Sequence, residues 1–190
     1  ILAIIVCKLL RFIGKLVGKG SSLPGQYALK ICPDVLGRVK LPGCIIAVTG
    51  SNGKTSTVEM IAAILRASGR TVVYNEEGSN QIEGVTTLIL CSSSLSGRMR
   101  GDVLLLESDE RYARRSFRFF HPTHFVITNL YRDQLTRNGH PEWVYDAILP
   151  AIHPETTLVL NADDPLVSCF ARGHDPERVK WFGLDECSVS

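Results

Sequence analysis

This sequence of 190 residues has no Cys-x-x-Cys pair, no apolar run long enough to span a membrane, and a net charge of only +2. Its six cysteines are scattered, which predicts reduced thiols instead of a disulfide framework and gives no zinc-site spacing. The opening apolar run, Ile1 to Val6, is far shorter than the roughly 20 residues of a transmembrane helix, and no signal-peptide cleavage site follows it. The small charge gives no indication of nucleic-acid binding. We expect a cytoplasmic protein.

Hydrophobic residues make up 45% of the chain, which is enough to fill the core of one domain with a short appendage. We expect residues 1–41 to form the appendage and residues 42–190 to form the domain. The sequence starts without methionine and stops in a polar stretch, which suggests a fragment of a longer protein.

The first 19 residues predict an amphipathic helix, because basic and apolar residues recur on opposite sides at spacings of three and four. The basic residues are Lys8, Arg11, Lys15 and Lys19, and the apolar residues are Leu9, Phe12, Ile13 and Leu16. Two interpretations remain open. The helix packs on its own domain, or it lies on an anionic membrane surface, at the inner face of the membrane.

From Cys44 onward, short apolar strands alternate with helices. Strands are predicted at residues 45–48, 71–74, 103–106, 125–128 and 157–160, and helices at residues 57–68, 84–91 and 143–152. In the first of these helices Met60, Ile61, Ile64 and Leu65 are expected to share one apolar face. The alternation predicts the α/β class, with a doubly wound, mostly parallel sheet.

A glycine-rich loop lies between the first predicted strand of this domain and the helix after it. Its glycines permit a tight turn that brings backbone N–H groups close to phosphate oxygens, and the helix adds its positive N-terminal dipole. Lys54 would supply a positive charge to the β- and γ-phosphates of a nucleotide, and Thr55 a hydroxyl ligand to Mg²⁺. The spacing G-x-x-G-K-T is two residues shorter than the general phosphate loop. The candidate nucleotide-binding residues are Gly50, Ser51, Asn52, Gly53, Lys54, Thr55 and Ser56.

The shortened loop resembles the ATP-binding signature of the Mur ligase family, which includes the folylpolyglutamate and cyanophycin synthetases. Three later segments are similar to family motifs in the same order, namely residues 106–110 (LESDE), 128–135 (TNLYRDQL) and 160–165 (LNADDP). The resemblance implies that Glu107 binds magnesium and that Asn161 contacts adenine. The alternatives are a solvated acidic turn for Glu107 and a helix cap for Asn161.

The remaining polar residues of these motifs have less specific expectations. Asp109 and Glu110 are expected to support the site or to be exposed. For Asp163 and Asp164, nucleotide contact and helix capping stay open.

Within the family, the chain resembles the MurT-like synthetase subunits of lipid II isoglutaminyl synthase, through residues 21–31, 75–80 and 132–135. This likeness implies that Asn80 faces the substrate. Gln134 stands where most Mur ligases have histidine, as it does in MurT-like chains. Gln134 and its neighbour Asp133 are expected to line the site or to cap a helix.

The resemblance implies a ligase that uses ATP and Mg²⁺ to convert a carboxylate into an acyl phosphate, with Lys54 and Glu107 in catalytic positions. In the MurT-like branch the carboxylate is the α-carboxyl of D-glutamate in lipid II, and ammonia comes from a separate glutaminase partner of GatD type. MurT-like chains also carry a four-cysteine zinc insertion after the third motif, which is incomplete here. Because a C-terminal domain completes such sites, we expect this chain alone to bind ATP weakly and to turn over poorly.

Three other functions remain open from the sequence. A folylpolyglutamate or cyanophycin type of ligase would join an amino acid instead of ammonia. A P-loop NTPase would use hydrolysis for motion or signalling, but it would need the longer loop spacing. A nucleotide-binding module without catalysis is the third.

Overall fold

The computed structural model describes residues 1–16, 22–75, 81–110, 113–130 and 141–184. The strands in these residues are β1 Cys44–Thr49, β2 Val72–Tyr74, β3 Val103–Glu107, β4 His124–Ile127, β5 Thr157–Asn161 and β6 Val179–Phe182. They form one six-stranded sheet in the order β2-β3-β1-β4-β5-β6. Each neighbouring pair is parallel, so the predicted α/β class with a mostly parallel sheet is confirmed.

Helices cover both faces of this sheet. They are α1 Leu2–Leu16, α2 Leu23–Ile31, α3 Lys54–Ala67, α4 Ile82–Cys91, α5 Ala113–Ser116, α6 Pro141–Ile148 and α7 Pro165–Ser168. Side chains of β1 alternate between the two faces, as a strand period of two requires. Ala47 packs in the core that contains α4, whereas Val48 packs in the separate core that contains Val58 and Ala62 of α3.

Helix α3 differs from its prediction in both its start and its buried face. It begins at Lys54, three residues earlier than predicted, directly after the glycine-rich loop. Val58 and Ala62 face the sheet, while Met60 and Ile64 are 59% and 70% exposed. The expectation of one apolar face was therefore wrong for Met60 and Ile64, because two apolar stripes run along the helix and only one reaches the sheet.

Strand β6 was not predicted from the sequence. Its four residues are Val-Lys-Trp-Phe, of which Val179 alone is buried. A four-residue strand with one buried position has almost no periodic signal.

The N-terminal helices pack against α4 and share its core. Ala3, Ile4 and Cys7 of α1 are buried in the same cluster as Ala28 of α2 and Ile89 of α4. The first interpretation of the N-terminal helix, packing on its own domain, therefore matches the structure. It packs, however, through a face other than the predicted apolar one, since Leu9, Phe12 and Ile13 are 56%, 65% and 47% exposed. The division at residue 41 stays a prediction.

The contact between α1 and α4 includes two thiols. The Sγ atoms of Cys7 and Cys91 are 4.0 Å apart, which is about twice the length of a disulfide bond. The hydrogen bond with Cys91, together with burial, raises the pKa of the Cys7 thiol far above its ordinary value. Cys7 is therefore protonated and acts as a small apolar residue of the core.

The close approach of α2 to α4 requires glycine at position 25. A Cβ atom there would lie 1.9 Å from the carbonyl oxygen of Glu83, and the N–H of Gly25 donates to Thr87 Oγ1 at 2.8 Å. We predict that Gly25→Ala lowers the free energy of unfolding by about 1–3 kcal/mol, because α2 must move away from α4. Gly43→Ala is the matched control, since a Cβ at Gly43 would meet nothing within 4 Å. Urea unfolding of both variants tests this, and equal stability would contradict the close approach.

Candidate functional site

The candidate site lies where the carboxyl ends of β3, β1 and β4 meet. Strand β1 pairs with β3 on one side and with β4 on the other. Open α/β sheets bind ligands at this edge, outside the carboxyl ends of their strands. The glycine-rich loop follows β1, Glu107 ends β3, and Thr128 and Asn129 follow β4. The topology therefore brings three separate sequence motifs together.

Residues after β4 hold the loop in place. Asn52 N–H donates to Asn129 Oδ1 at 2.9 Å, and Asn129 Nδ2 donates back to the Asn52 carbonyl at 3.0 Å. The Asn52 carbonyl also accepts from Thr128 Oγ1 at 2.9 Å, and Ser51 N–H donates to the Asn129 carbonyl at 2.9 Å. These reciprocal bonds fix the loop backbone against β4 before any ligand is present. This role of Thr128 and Asn129 was not predicted from the sequence, although both residues stand at the start of the second motif, residues 128–135.

Two glycines give the loop its shape. Gly50 has a φ of 136°, and a Cβ there would lie 2.1 Å from Thr128 Oγ1. Gly53 has a φ of 79° and immediately precedes α3. Both conformations disfavour residues with a side chain. The loop can therefore approach both Thr128 and a ligand closely.

The N-terminus of α3 presents backbone donors at the loop. The amide of Thr57 bonds to the Gly53 carbonyl at 2.9 Å. The amides of Lys54, Thr55 and Ser56 precede that first helical bond, so helix geometry gives them no acceptor within α3. Such amides, together with the positive end of the helix dipole, favour an anion.

Thr55 and Glu107 place two oxygen ligands side by side. Thr55 Oγ1 donates to Glu107 Oε2 at 2.8 Å, across 52 positions of sequence. A hydroxyl and a carboxylate are the hard oxygen ligands that Mg²⁺ takes, usually with phosphate oxygens and water. In the described part of the chain, no group of three or more His, Cys, Asp or Glu side chains is placed to hold a metal. This pair therefore fits a magnesium ion that also binds phosphate, and it does not form a metal site by itself.

Lys54 is held by a buried carboxylate. Its Nζ donates to Glu110 Oε1 at 2.7 Å, with the two side chains 15% and 5% exposed, and to the Gly50 carbonyl. The expectation that Glu110 supports the site or is exposed is resolved in favour of support. Its position three residues after Glu107 is the only signal for this role in the sequence.

The third motif contacts the second mainly through backbone groups. Asn161 Nδ2 donates to the Thr128 carbonyl at 2.9 Å, and its Oδ1 accepts from Asp163 N–H at 2.9 Å. Asp164 caps α7 by accepting from the amides of Leu166 and Val167. Asp164 also accepts from Leu130 N–H at 2.7 Å. Helix capping, one of the two alternatives for Asp164, is therefore observed. Asn161 lies beside Thr128, at the start of the motif that follows β4, which we call the β4 motif.

Some predicted residues fall elsewhere. Asn80, Asp133 and Gln134 lie outside the residues that the structure describes. Ser56 is exposed in the first turn of α3. The roles of these residues stay predictions.

Comparison with known proteins shows the family to which the chain is similar. Residues 48–188 match the family model described as the Mur ligase middle domain. The chain is 37% identical over 177 residues to the lipid II isoglutaminyl synthase (glutamine-hydrolyzing) subunit MurT of Streptococcus pneumoniae, covering 92% of the chain. It is 35% identical over 169 residues, or 87% of the chain, to the corresponding subunit of Staphylococcus aureus strain N315. The chain spans 38% of the length of each relative.

Solved structures are similar in fold. A pseudomurein peptide ligase type C from Methanothermus fervidus matches with a TM-score of 0.61 and 30% identity, over 80% of this chain and 29% of that chain. A MurF ligase from Thermotoga maritima in complex with ADP matches with a TM-score of 0.61 and 22% identity, over 84% of this chain and 36% of that chain. At 22% identity the second likeness concerns the fold alone.

The contact between Lys54 and Glu110 is expected to stabilise the fold as well as the site. We predict that Glu110→Gln lowers the free energy of unfolding by about 1–3 kcal/mol, because a hydrogen bond to a buried charge is replaced by a neutral one. Glu59→Gln, at an exposed position of α3, is the control and should change stability by less than about 0.5 kcal/mol. Urea unfolding measures both. Equal values would mean that the Lys54 contact does not contribute to stability.

Proposed function

This chain belongs to the Mur ligase family, because the middle-domain model matches residues 48–188. From that premise we propose that it carries the ATP-binding part of an ATP-dependent amide-forming ligase of peptidoglycan synthesis. The ligase would activate a carboxylate as an acyl phosphate, which ammonia attacks to give an amide and phosphate. The observation that carries the proposal is the convergence of Lys54, Thr55 and Glu107 at one edge of the sheet.

The amides at the start of α3 and the Lys54 ammonium are suited to hold the phosphates of ATP. An ammonium has three hydrogens. Among the described residues, two acceptors of Lys54 are Glu110 and the Gly50 carbonyl, so the third hydrogen can reach a phosphate oxygen. The two bonds also keep the flexible lysine side chain near the loop, which lowers the entropic cost of ordering it when the nucleotide binds.

Thr55 and Glu107 are the residues that would hold magnesium. Bound there, the ion would neutralise charge on the phosphates during transfer to the carboxylate. Glu107 would supply the negative charge of the site and Thr55 a neutral oxygen. Their hydrogen bond at 2.8 Å holds both oxygens in place in the absence of the ion. Asn161, beside the β4 motif, is our candidate for contact with adenine.

The relatives support a more specific substrate and partner. At 37% and 35% identity over most of this chain, two of them are subunits named for glutamine-hydrolysing lipid II isoglutaminyl synthesis. We therefore propose that the carboxylate is the α-carboxyl of D-glutamate in lipid II, which becomes D-isoglutamine. The ammonia would come from a separate glutaminase subunit of GatD type. Asn80 and Gln134 are our candidates for substrate contact. We propose that the reaction takes place on the cytoplasmic side of the membrane.

An amidation assay tests this proposal. The full-length protein is purified with its candidate glutaminase subunit and given lipid II, ATP, Mg²⁺ and glutamine. We expect a lipid II product lighter by about 1 Da, as a carboxyl becomes an amide, and one ADP per amide formed. Ligation of an amino acid without any need for glutaminase would instead identify a folylpolyglutamate or cyanophycin type of ligase. If the protein binds nucleotide but converts no carboxylate, the chain is a nucleotide-binding module without catalysis.

Lys54 should contribute to nucleotide affinity. We predict that Lys54→Ala weakens ATP binding by about 10- to 100-fold, because a charge-assisted hydrogen bond to phosphate is lost. Lys40→Ala removes an exposed lysine and should leave the dissociation constant unchanged. Isothermal titration calorimetry measures both constants. Unchanged affinity in Lys54→Ala would remove the basis for a phosphate site at this loop.

Glu107 should determine the magnesium requirement. We predict that Glu107→Gln raises the Mg²⁺ concentration needed for half-maximal ADP binding by about tenfold or more, as loss of an ionic ligand does. ADP affinity without Mg²⁺ should not fall, because the variant removes a negative charge near the phosphates. Glu177→Gln is the control, at an exposed position after α7. The same Mg²⁺ dependence in both variants would show that the ion binds elsewhere.

A further inference from the structure

Helix α1 carries an apolar surface that the described residues leave uncovered. Five large apolar side chains along its length are between 44% and 65% exposed, namely Leu2, Ile5, Leu9, Phe12 and Ile13. Monomeric proteins rarely expose contiguous apolar surface of this kind, and when they do it commonly marks an interaction site. We name these five residues the outer face of α1.

The outer face lies opposite the face by which α1 packs. At about 100° per residue, Ala3, Ile4 and Cys7 point to one side of the helix, and the outer-face residues point to the other. The packed side is made largely of small residues, which let α1 lie close to α2 and α4. The large apolar residues are thus on the side where solvent is expected. Ordinary packing on the domain does not explain this distribution, because it would bury the larger residues.

The N-terminal segment that contains the outer face is basic, and one of its lysines borders the outer face. Lys8 lies between the packed side and the outer face of α1, and its Nζ donates to the Cys91 carbonyl at 3.1 Å, at the end of α4. Arg11 lies on the packed side, where it lines a cavity together with residues of α4. Five of the 21 basic residues of the chain, and none of its 19 acidic residues, occur in the first 33 positions. The N-terminal segment is therefore strongly cationic, whereas the rest of the chain has an excess of acidic residues.

We propose that the outer face of α1 is a docking surface for an anionic lipid bilayer. An amphipathic helix with apolar residues on one side and basic residues beside them lies in the plane of the membrane interface, with its apolar side at the boundary of the acyl chains. The basic residues attract anionic headgroups. The helix lies on the membrane and does not cross it, as no described helix is both long and apolar enough to span a bilayer.

The charge distribution favours a bilayer over a second copy of the chain. Two copies meeting through their outer faces would bring two cationic N-terminal segments together, and like charges at an interface oppose association. An anionic bilayer instead satisfies the apolar and the cationic parts of the surface at once. This inference does not depend on the proposed ligase activity, since it uses no residue of the nucleotide site.

Docking through α1 would also orient the domain. Arg11 of α1 and Asn75, which follows the carboxyl end of β2, line one cavity of about 200 Å³ together with residues of α4. The later part of α1 therefore lies toward the edge of the sheet that carries the candidate site. A bilayer on the outer face would be near that edge.

Vesicle co-sedimentation tests the surface with a matched pair of variants. The full-length protein is mixed with vesicles of phosphatidylglycerol and phosphatidylcholine, or of phosphatidylcholine alone. Leu9→Ser/Ile13→Ser removes two exposed apolar residues one helical turn apart on α1, and Met60→Ser/Ile64→Ser does the same on α3, where the residues are 59% and 70% exposed. We expect the α1 variant to bind the anionic vesicles at least about tenfold more weakly, and the α3 variant to bind like the parent. Binding of the parent should fall with added salt and on phosphatidylcholine alone.

The variant Phe12→Trp provides a second measurement that does not require loss of function. Its fluorescence emission should shift to shorter wavelength with anionic vesicles, relative to the parent with its own Trp143 and Trp181. Equal vesicle binding by the two double variants, or an unshifted emission spectrum of Phe12→Trp, would overturn the proposal. A third result would also overturn it. If the parent does not bind vesicles but forms a dimer in sedimentation velocity, and Leu9→Ser/Ile13→Ser is a monomer, the outer face binds a second copy of the chain.

Discussion

The hydrogen bond between Thr55 and Glu107 joins the start of α3 to the end of β3, and the chemistry proposed for the site depends on it. A single carboxylate and a hydroxyl are too few ligands for magnesium, so the ion can be held firmly only with phosphate oxygens beside them. The amides of α3 and Lys54 lie at the same loop and favour those oxygens. Metal and nucleotide binding should therefore be coupled, because each supplies part of the other's site.

The fold keeps this arrangement assembled without a ligand. Asn129 and Thr128 bind the loop backbone from the side of β4, and Glu110 holds Lys54 from the side of β3. Thr128 and Lys54 cannot rearrange without losing a hydrogen bond in a partly buried place, which is costly. Preorganisation of this kind allows phosphate binding to order fewer groups.

The class of the fold and the glycine-rich turn between β1 and α3 were predictable from the sequence because their signals are local. Apolar runs of strand length alternate with helices, and glycines stand beside Lys54 and Thr55 within a few positions. The role of Glu110 was not predictable to the same degree, since its burial against Lys54 depends on the pairing of β1 with β3. The orientation of α1 was not predictable either. Its sequence contains both a small-residue side and a large-residue side, and only the shape of α2 and α4 decides which one packs.

A crystal structure of the full-length protein with Mg²⁺ and a non-hydrolysable ATP analogue would test the proposed chemistry. We expect one magnesium ion at about 2.0–2.1 Å from Thr55 Oγ1 and from a carboxylate oxygen of Glu107. A hydrogen of Lys54 Nζ should point to a phosphate oxygen. A nucleotide bound away from the Gly50–Gly53 loop would contradict the proposed chemistry. So would a magnesium ion that neither binds Glu107 nor has a ligand hydrogen-bonded to Glu107.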